Sequence, residues 1–220
     1  NKVYQENLEI KYESFPKNLF TPECTCHKNL QLVKKTKLYS VKYEDKSYDF
    51  NPDNINFTCD VYRSLKRGPG QKIISYSLYG DHPRYFELIP ELVKRIKQFY
   101  PGYIMRIYYD NSINKSIICD YECRFANMDF CNIHKIPVSI DDLKLVKNYN
   151  VMHSMMWRFL SIGDSFVDLF MSRDTDSLIH QREYDAVKEW IESDKPGHIM
   201  RGKRIVAYNF FFNFFPNLIF

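Results

Sequence analysis

From Lys72 onward, short apolar runs alternate with amphipathic helical patterns. Apolar and β-branched runs of about four to eight residues are typical of buried strands, and apolar residues at about every third or fourth position are typical of one buried helix face. The predicted strands are residues 73–80, 103–110, 128–136 and 166–172, and the predicted helices are residues 86–100, 151–161 and 181–192. A helix that connects two consecutive strands indicates parallel pairing, because antiparallel neighbours need only a short turn. The alternation therefore predicts an α/β fold with a Rossmann-type, mostly parallel sheet flanked by helices.

The 220 residues suit one compact domain with an additional segment. Residues 1–70 are rich in lysine, tyrosine and asparagine and have no long helical periodicity, so we expect an irregular accessory or stem segment there. Residues 71–201 carry the alternation and form the main domain. Residues 202–220 are a divergent aromatic tail, which we expect to be a buried terminal strand or an aberrant end. Because the apolar part of this tail is shorter than the roughly 20 residues of a spanning helix, membrane association is expected only through an anchor upstream of Asn1.

The charge and glycine content exclude several ligand classes. The 31 basic and 27 acidic residues give a net charge of +4 that is spread along the chain, so nucleic acid is not a predicted partner. The seven glycines form neither a Gly-x-Gly-x-x-Gly turn nor a Walker-type loop. The dinucleotide-binding and triphosphate-binding motifs are therefore excluded.

The cysteines indicate the compartment. Six are present, an even number without a Cys-x-x-Cys pair, and disulfides in an oxidising lumen are the preferred interpretation. A zinc site built from Cys24, Cys26 and His27 is the alternative. Two glycosylation sequons, at Asn56 and Asn114, agree with a secreted protein or one of the Golgi or ER lumen. The cysteine pairing stays open at this point.

Acidic residues follow the predicted strands, at Asp81, Asp110 and the pair Asp174 and Asp176. In open α/β sheets, ligands bind outside the carboxyl ends of the strands. Two carboxylates at alternate positions of an extended segment point to the same side, where both can bind one hard cation such as Mg²⁺ or Mn²⁺. Arg173 is a candidate donor to phosphate. The Asp-x-Asp triplet therefore predicts a metal-diphosphate site.

Several blocks of the chain resemble GT-A-type glycosyltransferase-like proteins of the nucleotide-diphospho-sugar transferase superfamily. The blocks are residues 157–193, with the Asp-x-Asp triplet, HIMR at 198–201, ISYSLYGDHPRYF at 74–86 and IYYD at 107–110. This resemblance implies that Asp174 and Asp176 bind Mn²⁺ or Mg²⁺, which holds the diphosphate of a sugar nucleotide. The residues that it places around the nucleotide and the metal are Tyr79, Gly80, Asp110, Arg173 and Ser177.

The resemblance leaves two residues with alternative roles. Arg158 either reaches a phosphate or pairs with a carboxylate, and the pairing is the preferred interpretation. His198 either completes the metal shell, contacts the substrate or is structural, and the structural role is preferred. No catalytic base is identified.

The implied reaction is transfer of a sugar from a nucleoside diphosphate to an acceptor hydroxyl of a glycan, protein or lipid. Similar proteins are expected to continue after the HIMR block with an Asp-His-Pro segment and a glycine-rich acceptor region, whereas this chain continues with Gly202 and the aromatic tail. The carboxyl-terminal part of the domain is therefore expected to be truncated or divergent.

Two other functions stay open. In haloacid-dehalogenase-type phosphatases an Asp-x-Asp triplet also ends a strand, but near the start of the domain, and with Thr or Val at the position that Leu178 holds here. The other alternative is a non-catalytic luminal or secreted interaction protein with a truncated transferase fold.

Overall fold

The computed structural model describes residues 23–35, 37–80, 82–137, 152–200 and 209–213. Two 3₁₀ helices, Pro52–Asn54 and Ser154–Gly163, accompany the strands and α-helices. In chain order these are β1 (Gln31–Lys34), β2 (Tyr39–Tyr43), β3 (Lys46–Phe50), α1 (Val61–Arg67), β4 (Gln71–Leu78), α2 (Arg84–Glu87), α3 (Ile89–Phe99), β5 (Ile104–Tyr109), α4 (Lys115–Arg124), β6 (Met128–Asn132), β7 (Val167–Ser172), α5 (Gln181–Glu192), β8 (Gly197–Met200) and β9 (Asn209–Asn213).

The central sheet has the strand order β6-β5-β4-β7-β9-β8. Strands β4, β5, β6 and β7 are parallel, and β9 pairs antiparallel with both β7 and β8. Helix α3 connects β4 to β5, and α4 connects β5 to β6. The predicted α/β fold with a parallel, helix-flanked sheet is therefore confirmed, and each of the four predicted strands lies in that sheet.

One face of the parallel sheet is apolar and is covered by helices. Alternation along β4 places Ile74 and Tyr76 on this face, where Leu92 and Ile96 of α3 and Trp190 of α5 pack in the same cluster. Each large apolar side chain buried here contributes about 1.5–3 kcal/mol to stability. This cluster is the main core of the protein.

The opposite face carries a buried polar network. Arg106 of β5 pairs with Asp164 through Nη1 and Oδ2, 2.8 Å apart. Thr58 Oγ1 donates to the same Asp164 oxygen at 2.9 Å and lies 2.7 Å from the hydroxyl of Tyr108, which in turn lies 3.0 Å from Ser161 Oγ. The network joins the amino-terminal part, the sheet and the second 3₁₀ helix, and buried polar groups of this kind need such partners to be tolerated.

The expected irregular amino-terminal segment contains a regular three-stranded antiparallel sheet, β1-β2-β3. Strands β2 and β3 are joined by a two-residue turn in which Glu44 has a φ of 55°. Tyr39, Val41 and Phe50 are buried and pack with Phe166, which directly precedes β7. The short alternation in YSVKY and KSYDF is the sequence signal that a search for long periodicity overlooks.

All six cysteines form disulfides, so the predicted disulfide framework is confirmed. The pairs are Cys24–Cys119, Cys26–Cys123 and Cys59–Cys131. Three disulfides fit an oxidising, secreted or lumenal environment. The zinc alternative is wrong, because both of its cysteines are in disulfides and offer no thiolate.

The predicted methionine-lined helix at 151–161 is instead the 3₁₀ helix Ser154–Gly163, and Met155 and Met156 are 50% and 46% exposed. A 3₁₀ helix has about three residues per turn, so side chains three apart share a side. Trp157 and Leu160 are accordingly buried, and the two methionines face away. These two methionines therefore lie outside the core, whereas Met152, just before the helix, packs against the cluster of Trp157 and Leu160.

The predicted terminal strand is present as β9, and the rest of the tail lies outside the described residues. Of the helices in the described part of the chain, none has the length and apolar character needed to cross a membrane.

Candidate functional site

A cavity of about 410 Å³ opens at the carboxyl ends of β4 and β7. Strands β5 and β6 lie on one side of β4, and β7 lies on its other side. The direction in which strands are added to the sheet therefore reverses between β4 and β7. Such a switch point is where open α/β sheets bind ligands. The residues that line the cavity are Ser77, Leu78, Tyr79, Tyr85, Met155, Arg158, Asp174, Thr175, Asp176 and Ser177.

The predicted metal pair lies in this cavity. Asp174 and Asp176 follow β7 directly, and their side chains are 37% and 47% exposed. The N–H of Ser177 donates to the carbonyl of Asp174 at 3.3 Å, which closes the segment into a turn. Both carboxylates are therefore accessible to a ligand that enters between β4 and β7.

Each carboxylate has an arginine partner. Arg158 of the second 3₁₀ helix contacts Asp174 through Nη1, and its own N–H donates to Ser77 Oγ at 2.8 Å. The preferred interpretation of Arg158 as a carboxylate partner agrees with this contact. Arg84 of α2 lies with Nη2 4.0 Å from Asp176 Oδ2. Arg84 is not among the site residues predicted from the sequence, although it lies within the block at 74–86 that carries the resemblance.

The side chain of Arg158 is mostly shielded from solvent. Its side chain is 15% exposed, and its Nε is buried without a hydrogen-bond partner among the described residues. Burial lowers the pKa of Arg158 below its usual value, while Tyr79 and Asp176 oppose the shift. The group remains a cation, because the pKa of an arginine starts far above neutral pH.

Arg173, the predicted phosphate donor, does not line the cavity. Alternation along β7 places it on the same face as Leu169 and Met171, toward the helices. Its side chain is 1% exposed and contacts Glu183 of α5, and its Nη2 donates to the carbonyl of Ser177 at 3.0 Å. Burial lowers the pKa of Arg173, and the nearby Tyr76 raises it. Arg173 therefore supports the turn that carries Asp174 and Asp176, and it does so from the helix-covered face of the sheet.

Gly80 and Asp110 act together at the rim. Gly80 has a φ of +75°, a conformation that other residues rarely adopt. Its N–H donates to Ser112 Oγ at 2.8 Å, and Asp110 Oδ1 accepts from the N–H of Ser112 at 3.1 Å and from its hydroxyl. The Asp110 side chain thus positions the loop that follows β4. Asp81 lies outside the described residues.

The remaining wall of the cavity is aromatic and apolar. Tyr79 and Tyr85 are 39% and 37% exposed, and the ring of Tyr79 packs edge-on against Trp157 with 6.2 Å between ring centroids. Exposed aromatic rings of this kind offer flat faces to a base or a sugar. His198 lies on β8, at the edge of the sheet, and is not among the residues that line the cavity.

The donor set fits a hard divalent cation together with a phosphate ligand. Asp174 and Asp176 offer carboxylate oxygens, which Mg²⁺ and Mn²⁺ prefer, and two arginines offer hydrogen bonds to phosphate. Two carboxylates do not fill the coordination shell of such a cation, so phosphate oxygens and water would complete it. Among the described residues, one group of three ligand side chains lies close together, Cys24, His27 and Glu122, but its cysteine is in a disulfide.

A scan against protein-family models gives no match, and searches of curated proteins and of solved structures give none either. The functional assignment therefore rests on the residues of this cavity.

Proposed function

We propose that this chain is a GT-A-like glycosyltransferase that binds a nucleoside-diphosphate sugar with Mn²⁺ or Mg²⁺ in the cavity between β4 and β7. The observation that carries the proposal is the arrangement of two carboxylates and two arginines at the switch point of the sheet, on Asp174, Asp176, Arg158 and Arg84. The resemblance of the surrounding blocks to sugar-nucleotide transferases supports the same function.

Asp174 and Asp176 would hold the cation, and Arg158 would exchange partners. In the structure Arg158 pairs with Asp174, and when that carboxylate binds a cation the guanidinium is free to bind a phosphate oxygen. Ser77 keeps the backbone of Arg158 at the end of β4, so only its side chain has to move. Arg84 of α2 is 70% exposed and would bind the outer phosphate.

In the proposed reaction the acceptor hydroxyl forms a bond to the anomeric carbon, while the bond from that carbon to the diphosphate oxygen breaks. The nucleoside diphosphate leaves with the bonding electrons, and the hydroxyl proton passes to a base or to solvent. The bound cation would stabilise the charge of the departing diphosphate. Arg158 and Arg84 add charge-assisted hydrogen bonds to the same oxygens.

The experiment measures thermal unfolding with Mn²⁺ and a panel of the nucleoside diphosphates of uridine, guanosine, cytidine and adenosine. We expect one nucleotide to raise the midpoint when the metal is present, since a ligand at about 100 times its Kd stabilises by about 2.7 kcal/mol. The variant Asp174→Asn with Asp176→Asn should lose this shift. Asp45→Asn with Asp185→Asn is the matched control, because both aspartates are exposed and outside the cavity.

Turnover is measured with the corresponding nucleotide sugar, by release of the nucleoside diphosphate. Cooperative unfolding of the wild type without any metal-dependent nucleotide shift would contradict the donor site. A shift without any release, with water or with simple sugar acceptors, would contradict transfer while leaving donor binding intact.

One observation favours the second candidate, a non-catalytic secreted or luminal interaction protein. Both carboxylates already have arginine partners in the chain itself, so the cavity is charge-balanced by its own side chains. The absence of a metal-dependent nucleotide shift, together with an unchanged fold, is the result that this alternative predicts.

A further inference from the structure

A second cavity, of about 860 Å³, lies at the opposite edge of the parallel sheet, where β4 and β5 begin. Its residues come from β3, α1, β4, α3, β5 and α4 and from the loops between them. Six of these described lining residues are basic and none is acidic. The basic residues are Lys46, Arg67, Lys72, Lys94, Lys97 and Arg124. In a chain with a net charge of only +4, this is a strong local excess of positive charge.

Three of the six cations are already paired. Arg67 binds the buried Asp129, with Nη2 2.9 Å from Oδ1. Arg124 pairs with Asp120 at 2.6 Å and Lys94 lies 3.8 Å from Glu91, one helical turn away in each case. These three therefore contribute little net charge to the cavity.

The other three, Lys46, Lys72 and Lys97, have no acidic ion-pair partner among the described residues, and all three are exposed. Lys46 Nζ lies 3.5 Å from the carbonyl oxygen of Arg67, and Lys72 Nζ lies 5.8 Å from the centre of the Tyr103 ring. They come from β3, β4 and α3, so their charges surround the cavity from three elements. Because the protein beneath these three charges has a low dielectric constant, their positive potential is concentrated in the solvent that fills the cavity.

We propose that this cavity binds an acidic oligosaccharide that carries sulfate groups. A single phosphate or sulfate would leave most of 860 Å³ empty, whereas an extended ligand reaches ammonium groups on three elements. The half-buried Phe125 provides apolar surface between the charges. The three disulfides place the chain in an oxidising environment, where acidic glycans rather than nucleic acids are the abundant polyanions. This inference does not rest on the proposed function.

The experiment uses calorimetric titration of the full chain with a heparin-derived hexasaccharide at 50 and 300 mM NaCl, and with an unsulfated, N-acetylated hexasaccharide. We expect the sulfated ligand to bind, with weaker binding at high salt because the lysines are exposed. Replacing Lys46, Lys72 and Lys97 by Gln should weaken binding about tenfold or more, since each exposed charge contributes up to about a factor of five.

The matched control replaces Lys37, Lys188 and Lys195 by Gln. These lysines are exposed and outside the cavity, and the change in net charge is the same. An equal loss in the control would overturn the proposal, because binding would then depend on net charge. Equal or tighter binding of a DNA duplex with the same number of charges, or equal binding of the unsulfated ligand, would also overturn it. Displacement of the hexasaccharide by inorganic sulfate at the same total sulfate concentration would show that the cavity binds single ions. That result would contradict the proposal.

Discussion

Asp129 is a fully buried carboxylate on β6 whose charge is balanced by α1. Lys66 Nζ and Arg67 Nη2 each lie 2.9 Å from its Oδ1. Burial alone would raise the pKa of Asp129, but the charges of Arg67 and Lys66 outweigh burial and hold it far below the ordinary value of 3.8. A carboxylate of this kind is a strong link between α1 and the sheet as long as it stays ionised.

The change Asp129→Asn should lower the free energy of unfolding by about 3–5 kcal/mol at pH 7, because it leaves buried cations without their counter-charge. In the wild type, the native pKa is lower than the unfolded one, so the contribution of Asp129 is complete above about pH 5 and is lost as the pH falls below about 4. The difference between wild type and variant should therefore shrink in acid. Urea unfolding at pH 7, 5, 4 and 3 measures it.

The exposed pair of Asp120 and Arg124 is the control, since Asp120→Asn should change stability by less than about 1 kcal/mol at every pH. A constant difference between Asp129→Asn and wild type from pH 7 to 3 would contradict the role given to the ionised carboxylate.

The two sequons differ in accessibility. Thr58 is 2% exposed and its hydroxyl belongs to the buried network, while Asn56 Nδ2 donates to the carbonyl of Gly163. Asn114 is exposed and caps α4 with its Oδ1, so its Nδ2 is left for a glycan. We expect glycosylation at Asn114 and none at Asn56 when the chain is secreted from a eukaryotic cell. Peptide mapping after enzymatic deglycosylation, with Asn114→Gln and Asn56→Gln as controls, measures the occupancy, and a glycan on Asn56 would contradict the expectation.

At the scale of single residues, the sequence predicted the position of the acidic pair and a carboxylate partner for Arg158, but not which carboxylate that is. Asp174 follows a buried strand, and that position alone places it at the carboxyl edge of the sheet. Arg173 and Asp174 are neighbours in sequence but point to opposite faces, and the parity shared with Met171 was readable from the strand pattern. The contact of Arg158 with Asp174 joins two elements 16 residues apart, and spacing in one sequence does not indicate such a contact.

Two neighbouring disulfides fasten the amino-terminal segment to α4. Cys24–Cys119 and Cys26–Cys123 span 95 and 97 residues, and their ends are close together at both sides. Once one of them is closed, the other closes only a small additional loop. In the chain-entropy picture, either bond alone therefore supplies most of the stabilisation of about 4–5 kcal/mol that a loop of this length gives.

Removing Cys24–Cys119 by Ala substitution should consequently cost less than about 2 kcal/mol, and removing both disulfides by four Ala substitutions should cost about 4–5 kcal/mol or more. Chemical unfolding followed by circular dichroism measures both values. A single removal as costly as the double removal would contradict the shared-loop argument.

At the scale of elements, the strands of the parallel sheet were predictable and the short elements were not. The run FVDLFMS is apolar on both faces, as expected for a strand covered on both sides. The predicted helix at 151–161 is a 3₁₀ helix, and its residues Trp157 and Leu160, three apart, pack with Tyr108 of β5. Apolar residues spaced by three and four fit both helix types, so the pattern alone does not separate them.

The whole molecule is held together across the boundary that the sequence indicated near residue 70. Phe166 lies 5.2 Å from Phe57 and 5.7 Å from Phe50 between ring centroids, and the third disulfide joins Cys59 to Cys131 of β6. The amino-terminal sheet thus shares its core with the residue that leads into β7. A segment with such contacts is part of the folding unit rather than a separate stem.

We therefore expect one cooperative unfolding transition. The two tryptophans report on different layers, since Trp190 packs in the main core under the helices and Trp157 packs with Tyr108 on the opposite face. Trp157→Phe and Trp190→Phe leave one reporter each, and the midpoints from fluorescence should coincide with that from circular dichroism. Separate midpoints for the two reporters would contradict a single unit.

The three disulfides also impose an order on biosynthesis. Each joins a cysteine in the first 59 residues to one between 119 and 131. At a synthesis rate of about 5–20 residues per second, Cys119 is made roughly 5–20 seconds after its partner Cys24. During that interval, Cys24, Cys26 and Cys59 have none of their native partners, and Cys24 and Cys26 are too close in sequence for an unstrained ring. Native disulfides therefore form only after α4 has been made, and the segment that carries Cys24, Cys26 and Cys59 is locked in place by residues made after it.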